Sequence, residues 1–215
     1  MTVPALVKPL LRGRFHEAGF YLALILAIPL ILTADPGRAR LAGGVFMVCL
    51  AGCFGASALY HRPTWSPGKR VWLARLDHAG IYLLIAGSYT PIGLIVLSGR
   101  WRVSVLAIVW TGATIAILVK LFWVRVPKWA SAVIALTLGW IGIVAIPELL
   151  KLPVGGVTLL LLGGAFYSVG AVIYAFKRPN PVPHVFGYHE IFHALTLAAA
   201  ACHLAAIAFY VLPRA

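Results

Sequence analysis

The chain has 215 residues, of which 62% are hydrophobic and only 11% charged, and its mean hydropathy is +0.96. Soluble domains run nearer half apolar and a quarter charged, so this composition excludes a disordered chain, a secreted disulfide scaffold and a water-soluble enzyme. The net charge of +13 falls in short basic clusters between apolar runs, a pattern that points to loops on anionic headgroups and away from nucleic acid.

A membrane-crossing helix needs about 20 predominantly apolar residues, with roughly 17 to 25 tolerated. Seven runs qualify in chain order: Ala18–Ala34, Leu41–Tyr60, Ala79–Leu97, Val103–Val119, Trp129–Pro147, Leu152–Phe176 and Ile191–Leu212. They are continuous and lack the alternation of a barrel wall. The fold expected is therefore all-α, a polytopic seven-transmembrane-helix bundle forming one domain over residues 1–215. Residues 1–16 form a short N-terminal segment, and no small-residue cleavage site follows the first run, so Met1–Phe15 leads a retained first helix. Pro29 and Pro91 fall inside spans, where kinks are expected.

Twelve Lys and Arg residues lie on the N-terminal side of the spans and six on the other. That bias places the N-terminus in the cytoplasm and the C-terminus outside. Cys49, Cys53 and Cys202 lie within apolar stretches, odd in number and without knuckle spacing, and read as packing residues. Gly163, Gly164 and Gly170 permit close helix contacts, within one chain or in a homo-oligomer.

Polar residues collect at three helix ends that this topology brings to the cytoplasmic face. Ser57 and His61 close the second helix, Asp77 and His78 open the third, and His189, Glu190 and His193 open the seventh. Ionisable groups at membrane depth are costly, and an interior functional site is their default reading. Residues four apart share a helix face, so His189 and His193 form a two-toothed clip. With His61 they make the three-imidazole set of a catalytic zinc, whose fourth position stays open to water. Asp77 is then a general base or an orienting group, and Ser57 a donor to a substrate carbonyl. Plainer readings compete: Asp77 pairing with Arg75 or capping its helix, and Ser57 bonding back to the preceding turn. His203 lies about 15 Å further along the last helix by rise alone and reads as a packing residue. His78 reads as an interface residue, His16 and His184 as loop or helix-entry positions, and Lys120 and Glu148 as snorkelling span-end residues.

His189-Glu190-Ile191-Phe192-His193 also satisfies HExxH, the zinc-protease pattern in which the glutamate is the base. An intramembrane protease is thus a rival, although it leaves Ser57, His61 and Asp77 without roles.

The stretches Ser57–His61, Leu76–Pro91 and Phe186–His193, with Pro179-Asn180-Pro181 before the last, resemble the bacterial hemolysin III family. That family is a branch of the progestin and adiponectin receptor (PAQR) group and is similar to the alkaline ceramidases. The resemblance runs from the first helix to the seventh. It implies a seven-helix bundle in the bacterial cytoplasmic (inner) membrane, with zinc (Zn2+) near the cytoplasmic leaflet held by His61, His189 and His193. Ser57 and Asp77 match the family's serine and aspartate. It further implies a hydrolase acting on an amide or ester of a membrane lipid or fatty-acyl substrate. The family's name also implies a cytolytic pore, and the same ligands, with Asp77 closing the shell in place of a reactive water, equally serve a non-enzymatic zinc-containing membrane sensor.

Overall fold

The computed structural model describes residues 8–122 and 126–215. The first seven residues of the N-terminal segment and the basic Arg125 lie outside the described residues. Among the described residues, seven helices are long and apolar enough to cross a bilayer: α1 Arg14–Thr33, α2 Arg38–His61, α3 Pro67–Val96, α4 Gly99–Phe122, α5 Lys128–Leu149, α6 Val154–Phe176 and α7 Tyr188–Arg214. No strand forms among the described residues. Each helix packs on its sequence neighbour and α7 returns to α1, so the seven form a closed ring. Large apolar side chains such as Ile25, Ile28 and Val169 point outward, as a hydrocarbon solvent demands. This is a multi-pass membrane protein.

The apolar runs all become helices, but the helices outrun them. The largest departure is α3, which starts at Pro67, twelve residues before the expected Ala79. Ser66 precedes it in an extended conformation and Pro67 occupies the first helical position, where its missing N–H costs nothing. Lys69, Arg70 and Arg75 end the apolar run but not the helix, which continues through them. Asp77 is consequently an interior residue of α3 about three turns from its start, which removes the expectation that it opens or caps the helix.

Pro29 lies inside α1, where the Thr33 hydroxyl donates to its carbonyl at 2.7 Å. After Pro91 the α3 ladder widens into a π turn, Ile92–Val96, a usual response to a residue that cannot donate. Helices α2 and α3 hold most of the core, with Phe46, Phe54, Met47 and Tyr82 fully enclosed. Their approach requires glycine: a Cβ on Gly87 would stand 2.4 Å from Cys49 Cβ. Gly163, Gly164 and Gly170 face His203, Trp140 and Leu195 of the same chain, so their contacts are internal to the bundle. Cys49 and Cys53 are buried free thiols in this packing, as expected.

Candidate metal centre

The starts of α1, α3, α5 and α7 and the ends of α2, α4 and α6 share one end of the bundle. At that end His61, His189 and His193 meet: one ring nitrogen of each lies within 4.8 Å of the others. His61 Nε2 and His189 Nε2 are 3.1 Å apart. Two nitrogens bound at 2.0–2.1 Å to a tetrahedral ion sit about 3.3 Å apart, so that pair is already at ligand spacing. The ring of His193 lies 4.5 Å from that of His189 and 5.1 Å from that of His61, centroid to centroid. The donor set, the convergence and the burial of His61 and His193 all fit a single divalent ion of the zinc type.

Asp77 Oδ2 stands 3.5 Å from His61 Nε2, on the metal-facing side of the imidazole. It does not pair with Arg75, whose guanidinium lies 4.5 Å from the Trp72 ring. Ser57, one turn before His61, is 2% exposed, and its hydroxyl has no hydrogen-bond partner. The expected alternative, a bond back to the preceding turn, is not formed. The hydroxyl instead lies close to the Asp77 carboxylate, so serine and aspartate face one another beside the histidines.

Glu190 is drawn away from the histidines. Its Oε1 accepts from Arg12 Nε and its Oε2 from the Gly187 N–H at 2.9 Å, so the carboxylate closes the first turn of α7. Asn180 Oδ1 adds a bond from the Tyr188 N–H at 3.2 Å, which gives the Pro-Asn-Pro stretch its structural task. Leu10 N–H and Leu11 N–H donate to the carbonyls of His184 and Val185, tying the segment before α1 to the loop before α7. At Gly13 the chain is left-handed, φ +80°, and a Cβ there would stand 2.7 Å from His61 Cβ, so glycine is what lets this segment cross the centre. Lys8, in the same segment, has its pKa lowered by partial burial and by the charges of Arg62, Arg70 and Arg12.

Sequence reasoning overlooked two residues. His16, expected only at a helix entry, is 4% exposed and stacked on His193, with centroids 3.8 Å apart and planes within 6°. Both its ring nitrogens lack partners. The helix-end topology that gathers the other histidines carries His16 to the same level, and that was its available signal. Lys120, expected to snorkel, instead turns inward with 4% exposure and donates to Ser131 Oγ. Glu148, the other expected snorkeller, is also buried, bonded to Ser98 and Lys151 at the opposite end. His78 has a buried, partnerless Nδ1 and lines an internal cavity; His203 packs on Tyr167 and bonds the Leu160 carbonyl at 3.3 Å; His184 is an exposed loop residue.

Seven spans closed in a ring, with three imidazoles and a carboxylate at one end, define a heptahelical membrane protein with a candidate metal centre. The family profile for haemolysin-III-related proteins matches residues 5–204. The chain belongs to that family. It is 34% identical to the hemolysin-3 homolog of Bacillus subtilis over 91% of this chain and 90% of that one. It is 43% identical to hemolysin-3 of Bacillus cereus over 65% of this chain, a match spanning 62% of the relative's length, just under two thirds. Heptahelical transmembrane protein 1 of Arabidopsis thaliana is 31% identical over 89% of this chain and 66% of that protein.

Proposed function

We propose that the protein is a zinc-dependent integral membrane hydrolase that cleaves an amide or ester in a lipid-like substrate, with a role in membrane lipid homeostasis. The observation that carries this reading is the meeting of His61, His189 and His193 within 4.8 Å, with Asp77 3.5 Å from His61. A zinc ion held by the three imidazoles would supply Lewis acidity and bring the pKa of water toward about 7. Asp77 then accepts the proton of the attacking water, and the free hydroxyl of Ser57 donates to the substrate carbonyl oxygen. His16 braces His193 through its stacked ring. The cavity beside the centre, walled by Ile81, Leu84, Ile85 and Leu136, suits an acyl chain. The surplus of basic residues at the metal end supports a cytoplasmic N-terminus in the bacterial inner membrane.

A metalloprotease of the HExxH kind needs its glutamate beside the metal, and Glu190 is instead engaged by Arg12 and the Gly187 N–H. One observation favours a second reading, a non-enzymatic zinc-containing sensor: Asp77 lies close enough to His61 to close the shell as a fourth ligand, and closed shells are the mark of structural sites.

The test incubates native bacterial lipid extracts with wild type and Asp77→Asn and follows the products by mass spectrometry, with metal quantified in both. A fatty-acyl product that appears only with wild type, at equal metal content, supports the hydrolase. No product from either, with metal content falling in Asp77→Asn, supports the sensor.

A further inference from the structure

A divalent ion inside a bundle needs a path in and out along which it stays solvated. The internal cavity beside the histidines offers no such path. Tyr174 and Phe192, whose rings lie 5.9 and 6.2 Å from that of His189, belong to its wall. Most of the rest of that wall is hydrocarbon, and the ammonium of Lys120 on it repels a cation. The remaining direction is the open end of the bundle, and there the chain before α1 lies across the centre.

Residues 8–13 form a turn, with the Arg12 N–H donating to the Pro9 carbonyl at 3.0 Å. This strap bridges the two helices that supply all three histidines. On the α2 side Lys8 Nζ donates to the Arg62 carbonyl at 2.7 Å, one residue past His61, and Gly13 passes His61 too closely for any Cβ. On the α7 side the Leu10 and Leu11 N–H groups reach the carbonyls of His184 and Val185 at 3.0 and 3.3 Å. Arg12 Nε meets the buried carboxylate of Glu190, which lies between His189 and His193 in sequence. The receiving loop is preformed, because Val182 and Phe186 exchange backbone bonds at 3.1 and 2.7 Å. Under this cover His61 and His193 are buried.

The ties are few and local. Pro9 has no N–H with which to extend the pairing. Lys8 is set against the positive charges of Arg62, Arg70 and Arg12. Gly13, at φ +80°, joins the strap to α1 in a conformation that glycine adopts without strain.

We infer that residues 8–13 are a gate for the metal. Docked, the strap shuts the histidines off from water at their end of the bundle; swung aside about Gly13, it lets a divalent cation reach or leave them. The inference rests on the trio holding zinc, which the hydrolase and sensor readings share, and not on turnover. A gate changes the rates of entry and exit together and leaves affinity alone, whereas a strap that only steadies the ligands changes affinity.

Stopped-flow exchange of Zn2+ between the full-length protein in non-ionic detergent and a chelating dye measures both rates, and their ratio is checked by equilibrium titration. Arg12→Met should speed release and uptake alike by about tenfold, the scale of one hydrogen bond to a charged group, with affinity within about twofold of wild type. Leu10 and His184 are both exposed, so Leu10→Cys with His184→Cys can be joined by a short bis-methanethiosulfonate. The link should slow both rates at least about tenfold on the same scale, and its reduction should restore them, while wild type treated alike is unchanged. Faster release without faster uptake in Arg12→Met makes the strap a brace and overturns the gate. A linked protein that exchanges as fast as the reduced one overturns it as well, even where Arg12→Met does not fold. A protein that takes up no Zn2+ overturns the metal centre together with its gate. Zn2+ bound but exchanged at rates indifferent to both changes overturns the gate alone.

Discussion

The two ends of the bundle treat their buried polar groups in opposite ways. Away from the histidines, Glu148 accepts from the Ser98 N–H at 3.1 Å, the Ser98 hydroxyl at 2.8 Å and Lys151, while Arg214 and Arg102 donate to the carbonyls of Lys151 and Leu97. These groups cap and tie helix ends. At the histidine end the Ser57 hydroxyl, both nitrogens of His16 and one nitrogen of His78 are left without partners. Each costs free energy, and between the two ends Tyr167 Oη and His203 Nδ1 are likewise without partners. The satisfied end serves the fold, and the unsatisfied end is organised around something the polypeptide does not itself supply.

Replacing a ligand breaks this contrast most severely. His193→Ala should weaken zinc binding by more than about 100-fold, beyond the effect of substitutions in outer-shell partners. Inductively coupled plasma mass spectrometry of the dialysed protein measures it. Glu148→Gln should lower the thermal midpoint and leave metal content at the wild-type level. Equal metal loss in the two variants would show that metal content follows global stability and not the trio.

Glu190 tests the boundary between the two kinds of group, because it lies between His189 and His193 in sequence yet is bonded like Glu148. Glu190→Gln removes the charge opposite Arg12 at a site where the carboxylate is 1% exposed and the guanidinium 25%. A stability loss of about 1–2 kcal/mol follows, toward the lower end for a half-open pair. Metal content and lipid turnover should stay within about twofold of wild type, since the group pairs and caps but does not face the centre. Turnover abolished at unchanged stability would return Glu190 to the role of base.

What was legible in the sequence divides along a related line. Seven helices followed from run length alone, because a hydrocarbon slab imposes its thickness on any chain crossing it. Helix ends did not, since Lys69, Arg70 and Arg75 end the apolar run while α3 continues through them to Pro67. The trio was legible from the i, i+4 pair and the parity of helix ends, and Asp77 and Ser57 came with it. His16 and Lys120 were not. A single polar residue near a span end reads alike whether it turns to the headgroups or into the bundle, and that rotation is set by packing. For α1 the decisive contacts are small residues: Gly13 against His61, and Gly19, whose added Cβ would stand 2.8 Å from Phe54 and from Leu197.

The smallest expected effect tests whether the satisfied groups at the histidine end support the unsatisfied ones. Asn180 Oδ1 holds the first N–H of α7, one residue before His189. Asn180→Ala should cost about 1 kcal/mol, as the loss of a helix cap does, and should lower the thermal midpoint slightly. A cap serving the fold alone would leave zinc affinity unchanged. His189 lies in the turn that Asn180 fixes, however, and its Nε2 must stay near His61 Nε2, now 3.1 Å away, for the trio to close. Fraying that turn moves the one ligand of the three that is only partly buried. Zinc affinity is therefore expected to fall a few-fold, about the lower edge of an outer-shell substitution, in a competition titration with a chelating dye. Unchanged affinity at reduced stability would mean that the centre is held by His61 and His193 and that α7's first turn merely follows them.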